Sequence, residues 1–235
     1  MGPNGLVVAI DGPAGAGKST VARELARRLS YVYVDTGAMY RVVGLLAREG
    51  NVAPDDGDRL GALAGAVSIR FVAEAGGEQS VFVNGRDVTA SIREQPVGEW
   101  ASKVSTRPEV RERLVAAQRA MGRDGGVVLE GRDIGTVVFP DADLKFYLDA
   151  TAEERGRRRH RQLQGRGEAA SLAAIVAEIE SRDRRDQQRD HSPLRCAPDA
   201  LRVDTTALAP EAVIEELLER CRARLSSHGI GAQKP

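Results

Sequence analysis

The chain is poor in rings: one tryptophan, four tyrosines and four phenylalanines in 235 residues. So few aromatics exclude an extended base-stacking surface for single-stranded nucleic acid. The two cysteines, Cys196 and Cys221, lack metal-ligand spacing and are too few for a disulfide scaffold. Both are expected as free thiols in a reducing compartment. No run approaches the roughly 18 apolar residues of a membrane span. No basic stretch followed by an apolar signal core opens the N-terminus. The expectation is a soluble cytoplasmic protein with no membrane partner. Net charge is also missing, since 34 basic and 34 acidic residues cancel, so bulk charge gives no case for nucleic acid. Lysine is scarce: Lys18, Lys103, Lys145 and Lys234 are the only ones, leaving 30 arginines. That excess fits a GC-rich coding sequence, and equally fits planar recognition of phosphate and carboxylate. Hydrophobic residues at 42% and charged residues at 29% are typical of a chain with a real core. The length suits one domain, or one domain carrying a sizeable insertion.

Short apolar runs alternate with helical patterns. Leu6–Ile10 reads as a buried parallel strand. Val21, Leu25 and Leu29 then recur every four residues with charges between them, which predicts an amphipathic helix. Residues 31–34 predict a second strand and 38–49 a second helix. Residues 127–129, 144–148 and 201–203 supply three more strands, with helices near 151–164 and 210–225. Thr151 and Glu154 fit a capping box. The pattern implies an α/β fold, a parallel five-stranded sheet with helices on both faces. The stretch from Gly50 to Val127 breaks the rhythm. It holds β-rich runs at 67–72 and 80–83 around a Gly-Gly turn, then Asn84-Gly85, a hairpin signal. Two helices follow, near 96–106 and 108–122. This predicts a small β plus α insertion in the core, with residues from Ser226 onward as a frayed tail.

Gly12-Pro13-Ala14-Gly15-Ala16-Gly17-Lys18-Ser19 fits G-x-x-x-x-G-K-[ST] and lies between a strand and an amphipathic helix. Backbone N–H groups of such a loop turn toward one anion, and the helix start adds its positive end. Gly12 to Thr20 would therefore hold the phosphates of ATP or GTP, Lys18 would reach the β- and γ-phosphates, and the Ser19 hydroxyl would ligate Mg²⁺. No Asn-Lys-x-Asp guanine-reading motif is present, and the chain is too short for most motors. Phosphoryl transfer to a small partner, or nucleotide-gated binding of one, remains.

Four further clusters bear on the acceptor. Asp35-Thr-Gly-Ala-Met-Tyr-Arg41 and Glu130-Gly-Arg132-Asp133 sit at strand ends, where an N-cap or a charged turn is the plain alternative. Arg182, Asp186 and Arg189 fall on one helical face, which could equally be solvated. Arg155, Arg157, Arg158, Arg159, Arg161 and Arg166 repel one another unless an anion joins them, as in a lid over triphosphate. Together they favour a phosphate-ester acceptor held by Arg41, Arg132 and Arg189. Such an acceptor needs no catalytic base, and His160, His191 and His228 lie outside every strand-end motif.

With IDGPAGAGKST (10–20), DTGAMYR (35–41), GRDIGTVVFPDA (131–142), EERGRRR (153–159) and RDRRDQQR (182–189), the chain to about residue 225 resembles bacterial cytidylate kinases. The resemblance implies transfer of the ATP γ-phosphate to CMP or dCMP. It implies a P-loop core at 1–60 and 107–225, a lid at about 153–168, an inserted CMP-binding domain at 61–106, a tail at 226–235, and a monomer. Lys18, Arg132, Arg158, Arg159 and Arg189 would be the catalytic cations. Arg41, Arg132 and Arg189 would grip the CMP phosphate, with Thr36 near it or the sugar, and Arg182 and Asp186 would meet the sugar hydroxyls. Ser102, Arg111 and Asp133 would read the cytosine edge, and Glu130 would orient Mg²⁺ through water. Two other readings stand beside this one. They are a kinase of a hydroxyl acceptor, similar to shikimate kinase with Asp35 as base, and a non-catalytic ATP-dependent binding module.

Overall fold

The computed structural model describes residues 2–74, 78–165 and 167–227. In chain order the elements are β1 (Val7–Asp11), α1 (Lys18–Leu29), β2 (Val32–Asp35), α2 (Thr36–Glu49), α3 (Gly57–Ala66), β3 (Ile69–Ala73), β4 (Gln79–Val83) and β5 (Arg86–Asp87). They continue with α4 (Gln95–Val104), α5 (Pro108–Gly122), β6 (Val127–Gly131), β7 (Leu144–Asp149), α6 (Ala152–Gln164), α7 (Leu172–Gln188), β8 (Leu201–Asp204) and α8 (Pro210–Ser227). The chain divides into two compact units, Val34–Arg123 and the residues on either side of it.

Five parallel strands build the expected sheet, ordered β2-β6-β1-β7-β8, with helices on both sides. β1 is central: Val8 pairs in parallel with Val128 on one side and Leu144 on the other. A strand covered on both edges and both faces must be apolar throughout, and Val8, Ala9 and Ile10 are fully buried. The strand order reverses across β1, so its carboxyl end opens at the switch point where α/β proteins bind ligands. α1 turns Val21, Ala22, Leu25 and Ala26 inward, against Val8, Ile10, Phe146 and Leu148 of the sheet and Ile214, Leu217 and Leu218 of α8. Each of the larger side chains contributes roughly 1.5–3 kcal/mol by leaving water. α8 continues to Ser227, so Ser226 and Ser227 are helical rather than frayed. Cys221 lies in its buried stripe, and the Ser226 and Ser227 hydroxyls donate to the Arg222 and Arg224 carbonyls.

The Val34–Arg123 unit contains an antiparallel sheet, β3-β4-β5. Val83 pairs with Arg86 across Asn84-Gly85, both with positive φ (49° and 83°), the geometry of a tight two-residue hairpin. The Gly76-Gly77 turn expected between β3 and β4 lies outside the described residues, as do Arg166 and His228. This unit, Val34–Arg123, is wider than the 61–106 interval that the resemblance implied. Met39 and Val43 of α2, Leu60 of α3, Val104 of α4, and Val110 and Leu114 of α5 share one buried cluster. The flanking helices therefore pack with the inserted segment. The Gly- and Ala-rich α3 had no apolar periodicity strong enough to predict it.

Candidate active site

The loop after β1 has the backbone its glycines allow. Gly12 has φ +147°, and a Cβ there would collide with the Leu148 carbonyl of β7. Gly17 has φ +89° as the N-cap of α1 and offers no side chain to cap it, so the first-turn N–H groups remain oriented for an anion. Four successive carbonyls of the loop accept from side chains. Pro13 O takes Lys18 Nζ (2.7 Å), Ala14 O takes Arg155 (3.2 Å), Gly15 O takes Arg158 (3.5 Å) and Ala16 O takes Thr205 Oγ1 (3.1 Å). In a planar trans peptide the following N–H points the opposite way, so these donors turn the Ala14, Gly15 and Gly17 amides to the other side. Ser19 and Thr20 are exposed on the first turn of α1, which fits a hard-oxygen ligand position for Mg²⁺. The uncapped turn and turned-out amides fit a polyphosphate.

Lys18 is buried, and its amine is pushed down to about 7, first by burial and then by Arg132, against the opposing pull of Glu130 and Asp11. Asp11, ending β1, is pushed up to about 6 by burial, although N–H groups of Gly135 and Ile134 pull it down. Glu130 is buried at the end of β6 and accepts from the Tyr33 hydroxyl.

The residues after β6 meet α7. Arg132 Nε donates to Asp186 Oδ2 at 3.1 Å, Arg182 lies 4.0 Å from the same carboxylate oxygen, and Arg189 lies 4.0 Å from Asp133 Oδ1. Burial alone would raise Asp186, but Arg132, Arg182 and Arg189 together hold its carboxyl below the usual range. Arg132, Asp133, Arg182, Asp186 and Arg189 thus form one network in the unit that carries Lys18. Arg189 does not continue the helical face of Arg182 and Asp186. α7 ends at Gln188, and Arg189 is its extended C-cap (ψ 141°), its Nε bonded to the Ser192 carbonyl. The helix ends there because the Asp186 carbonyl accepts from Leu194 N–H (2.7 Å).

The arginines of α6 do not act as one set. Thr151 caps the helix by accepting from Glu154 N–H (3.2 Å), while the Glu154 carboxylate turns outward to Arg157, Arg158 and Arg161. Arg155, expected in the lid, is buried. It donates to Ala150 O (2.9 Å), Ala14 O and Asp183 (2.6 Å). Its guanidinium has no access to a passing phosphate because three protein acceptors surround it. Arg158 bonds Thr205 as well as Gly15, at the rim of the phosphate loop. Arg159 is half-buried on the same helix. Charge counting could not separate these roles, because the packed side of α6 is set by its neighbours.

Within the Val34–Arg123 unit, Asp35 spends Oδ1 on capping α2 through Ala38 N–H (2.9 Å). Thr36 is buried at the first position of that helix. Arg41 donates to Ile92 O (3.0 Å), and its guanidinium lies against Gly98 of α4. Ser102 stands four residues beyond Gly98 on the same helix, on the same face. Arg111 is buried, 5.7 Å over the Tyr40 ring, and reaches the Ser105 carbonyl at 3.4 Å. Arg41, Ser102 and Arg111 therefore gather along one helix, α4. Sequence reasoning missed Asp11, Asp183 and Thr205. Asp11 adjoins the phosphate-loop motif, but Asp183 and Thr205 carry no local signal because their partners are far away in the chain.

A family model described as cytidylate kinase matches residues 8–223. A cytidylate kinase of Geobacter sp. (strain M21) is 49% identical over 228 residues, 97% of each chain. Another, from Syntrophotalea carbinolica, is 50% identical over 214 residues, 91% of each chain. A third, from Symbiobacterium thermophilum, is 47% identical over 94% of this chain and 98% of that one. With the phosphate loop, the arginine–carboxylate network and this likeness over nearly the full length, the chain belongs to the cytidylate kinase family.

Proposed function

We propose that the protein transfers the γ-phosphate of ATP to CMP or dCMP, giving ADP and CDP or dCDP, within pyrimidine nucleotide metabolism. The observation that carries this reading is a phosphate loop and an arginine–carboxylate network in one unit of a member of this family. Lys18, whose proton affinity is lowered first by burial and then by Arg132, shares that unit with Arg132, Arg182 and Arg189. Gathering like charges is unfavourable until an anion joins them, and two nucleotides supply several.

The acceptor oxygen belongs to a phosphate monoester and is already anionic. Transfer forms a bond from that oxygen to the γ-phosphorus and breaks the bond to the β–γ bridging oxygen, with no proton to remove. The task left to the protein is alignment and charge neutralisation. Lys18 and the loop amides would hold the donor phosphates, and Ser19 would hold Mg²⁺, with Glu130 acting through water. Mg²⁺, when bound, adds positive charge at the phosphates. Arg41, Arg132 and Arg189 are assigned to the acceptor phosphate, and Arg158 and Arg159 to the transferring group. Thr36 is assigned beside that phosphate or the sugar, and Arg182 and Asp186 to the sugar hydroxyls. Asp133, Ser102 and Arg111 are assigned to the base edge. Cytosine presents a 4-amino donor where uracil presents an acceptor, so an ionised Asp133 favours CMP over UMP. We further propose that it works as a monomer in the cytoplasm.

A coupled assay of ADP release with CMP, dCMP, UMP, AMP and shikimate tests the reading. Release with CMP and dCMP is expected. Release with shikimate alone would establish a hydroxyl acceptor, and release with none of the five would favour a binding module.

A further inference from the structure

The segment after Asp133 is a single wide helical turn, Ile134–Val138, closed when Val137 and Val138 N–H groups donate to the Asp133 carbonyl (2.9 and 3.2 Å). Asp133 occupies the N-cap of that turn. An aspartate there ordinarily folds its carboxylate back onto the second or third amide of the turn, here Gly135 or Thr136. Here Asp133 makes no side-chain cap bond. The first two amides are taken by a residue over a hundred positions away. Ile134 N–H donates to Asp11 Oδ1 at 2.8 Å and Gly135 N–H to Asp11 Oδ2 at 2.7 Å. Both oxygens of one buried carboxylate are thereby committed. The fit is close, since a Cβ on Gly135 would sit 3.4 Å from Asp11 Oδ2 and 3.1 Å from the Lys145 side chain.

We infer that Asp11 is a positioning residue for substrate selection: by capping the 134–138 turn in place of Asp133, it keeps the Asp133 carboxylate beside Arg189 and aimed for base reading. The inference rests on the assignment of Asp133 to the cytosine edge. Its consequence is an unusual division of labour. The last residue of β1, immediately before the phosphate loop, would set acceptor choice rather than donor affinity. Replacing Asp11 by asparagine leaves one acceptor and turns an NH₂ toward an amide N–H. The natural relief is for Asp133 to swing back and cap its own turn.

The test is a double-mutant cycle between Asp11→Asn and Asp133→Asn, read as the ratio of kcat/KM for CMP to that for UMP. Asp11→Asn is expected to lower the ratio about tenfold, since an ionic cap bond is being lost, and to leave the KM for ATP within about twofold. In the Asp133→Asn background the same change should leave the ratio unmoved. A preserved ratio in Asp11→Asn, an additive cycle, or a loss confined to ATP affinity would overturn the inference. Should Asp11→Asn fail to fold, Asp11→Ser is read in its place. Hydrogen exchange of wild-type protein tests the cap itself: slow exchange at Ile134 and Gly135 is expected, and fast exchange at both would refute it. A wild type inactive on both CMP and dCMP would remove the functional reading, and the exchange result would still judge the cap.

Discussion

At the scale of single residues, the same amino acid does opposite work depending on what surrounds it. Asp35 caps its own helix, whereas Asp133 at the same kind of position does not. If Asp133 meets the 4-amino group, Asp133→Asn should cut the preference for CMP over UMP by about tenfold or more, the scale of one specific pairing. Steady-state kinetics with both acceptors would show it, and an unchanged preference would remove Asp133 from base reading. Lys18 allows a test without a variant. Burial, with Arg132 second, pushes its amine down to about 7, so the lysine gives up its proton far more readily than an exposed one. Bound phosphates favour the charged form and raise that value, so ATP binding should take up a proton. Calorimetric titration at pH 8 in two buffers of different ionisation enthalpy should give different apparent heats, in the sense of proton uptake. Equal heats would contradict a depressed lysine. Lys18→Ala should slow turnover by orders of magnitude. The linkage for stability has the same origin. A lysine whose folded value is lowered binds fewer protons folded than unfolded between about pH 7 and its ordinary value, so its burial penalty on folding eases as pH rises through that window.

Among the elements, the junction of the phosphate loop, α6 and α7 depends on Arg155. One planar guanidinium satisfies a loop carbonyl, the Ala150 carbonyl just ahead of the Thr151 cap, and Asp183 on α7. A lysine has neither the fork nor the reach for all three. Arg155→Ala would leave the Asp183 carboxylate, with 14% side-chain exposure, without its cation. Breaking a buried pair in that way costs about 3–5 kcal/mol. Urea denaturation should report the loss, and a change under about 1 kcal/mol, the scale of an exposed pair, would show that the bridge is dispensable. The hairpin at Asn84-Gly85 and the Thr151 cap were both legible beforehand, because each is decided by residues within a few positions. The wide turn at 134–138 and the break of α7 before Arg189 were not. Both are set by hydrogen bonds that local periodicity does not encode, to Asp11 in the first case and from Leu194 in the second.

For the whole molecule, the thiols give a graded reading of stability. Cys196 is exposed, while Cys221 is wholly buried in the stripe of α8, and burial pushes its thiol up to about 12. At pH 8 a thiol reagent should modify one cysteine quickly and the second only as fast as α8 leaves the sheet. Two equally fast thiols would show that α8 detaches readily. The phosphate loop, the five strands and the hairpin were determined by the sequence, because contiguous residues and short-range dihedral preferences suffice to specify them. Only the tertiary structure decided which arginines stand in reach of an anion and which are consumed as struts, how far the second unit extends, and that Asp11 caps a turn 123 positions away. Those outcomes rest on burial and on hydrogen bonds between distant segments, and a side chain's partners across the fold leave no periodicity along the chain.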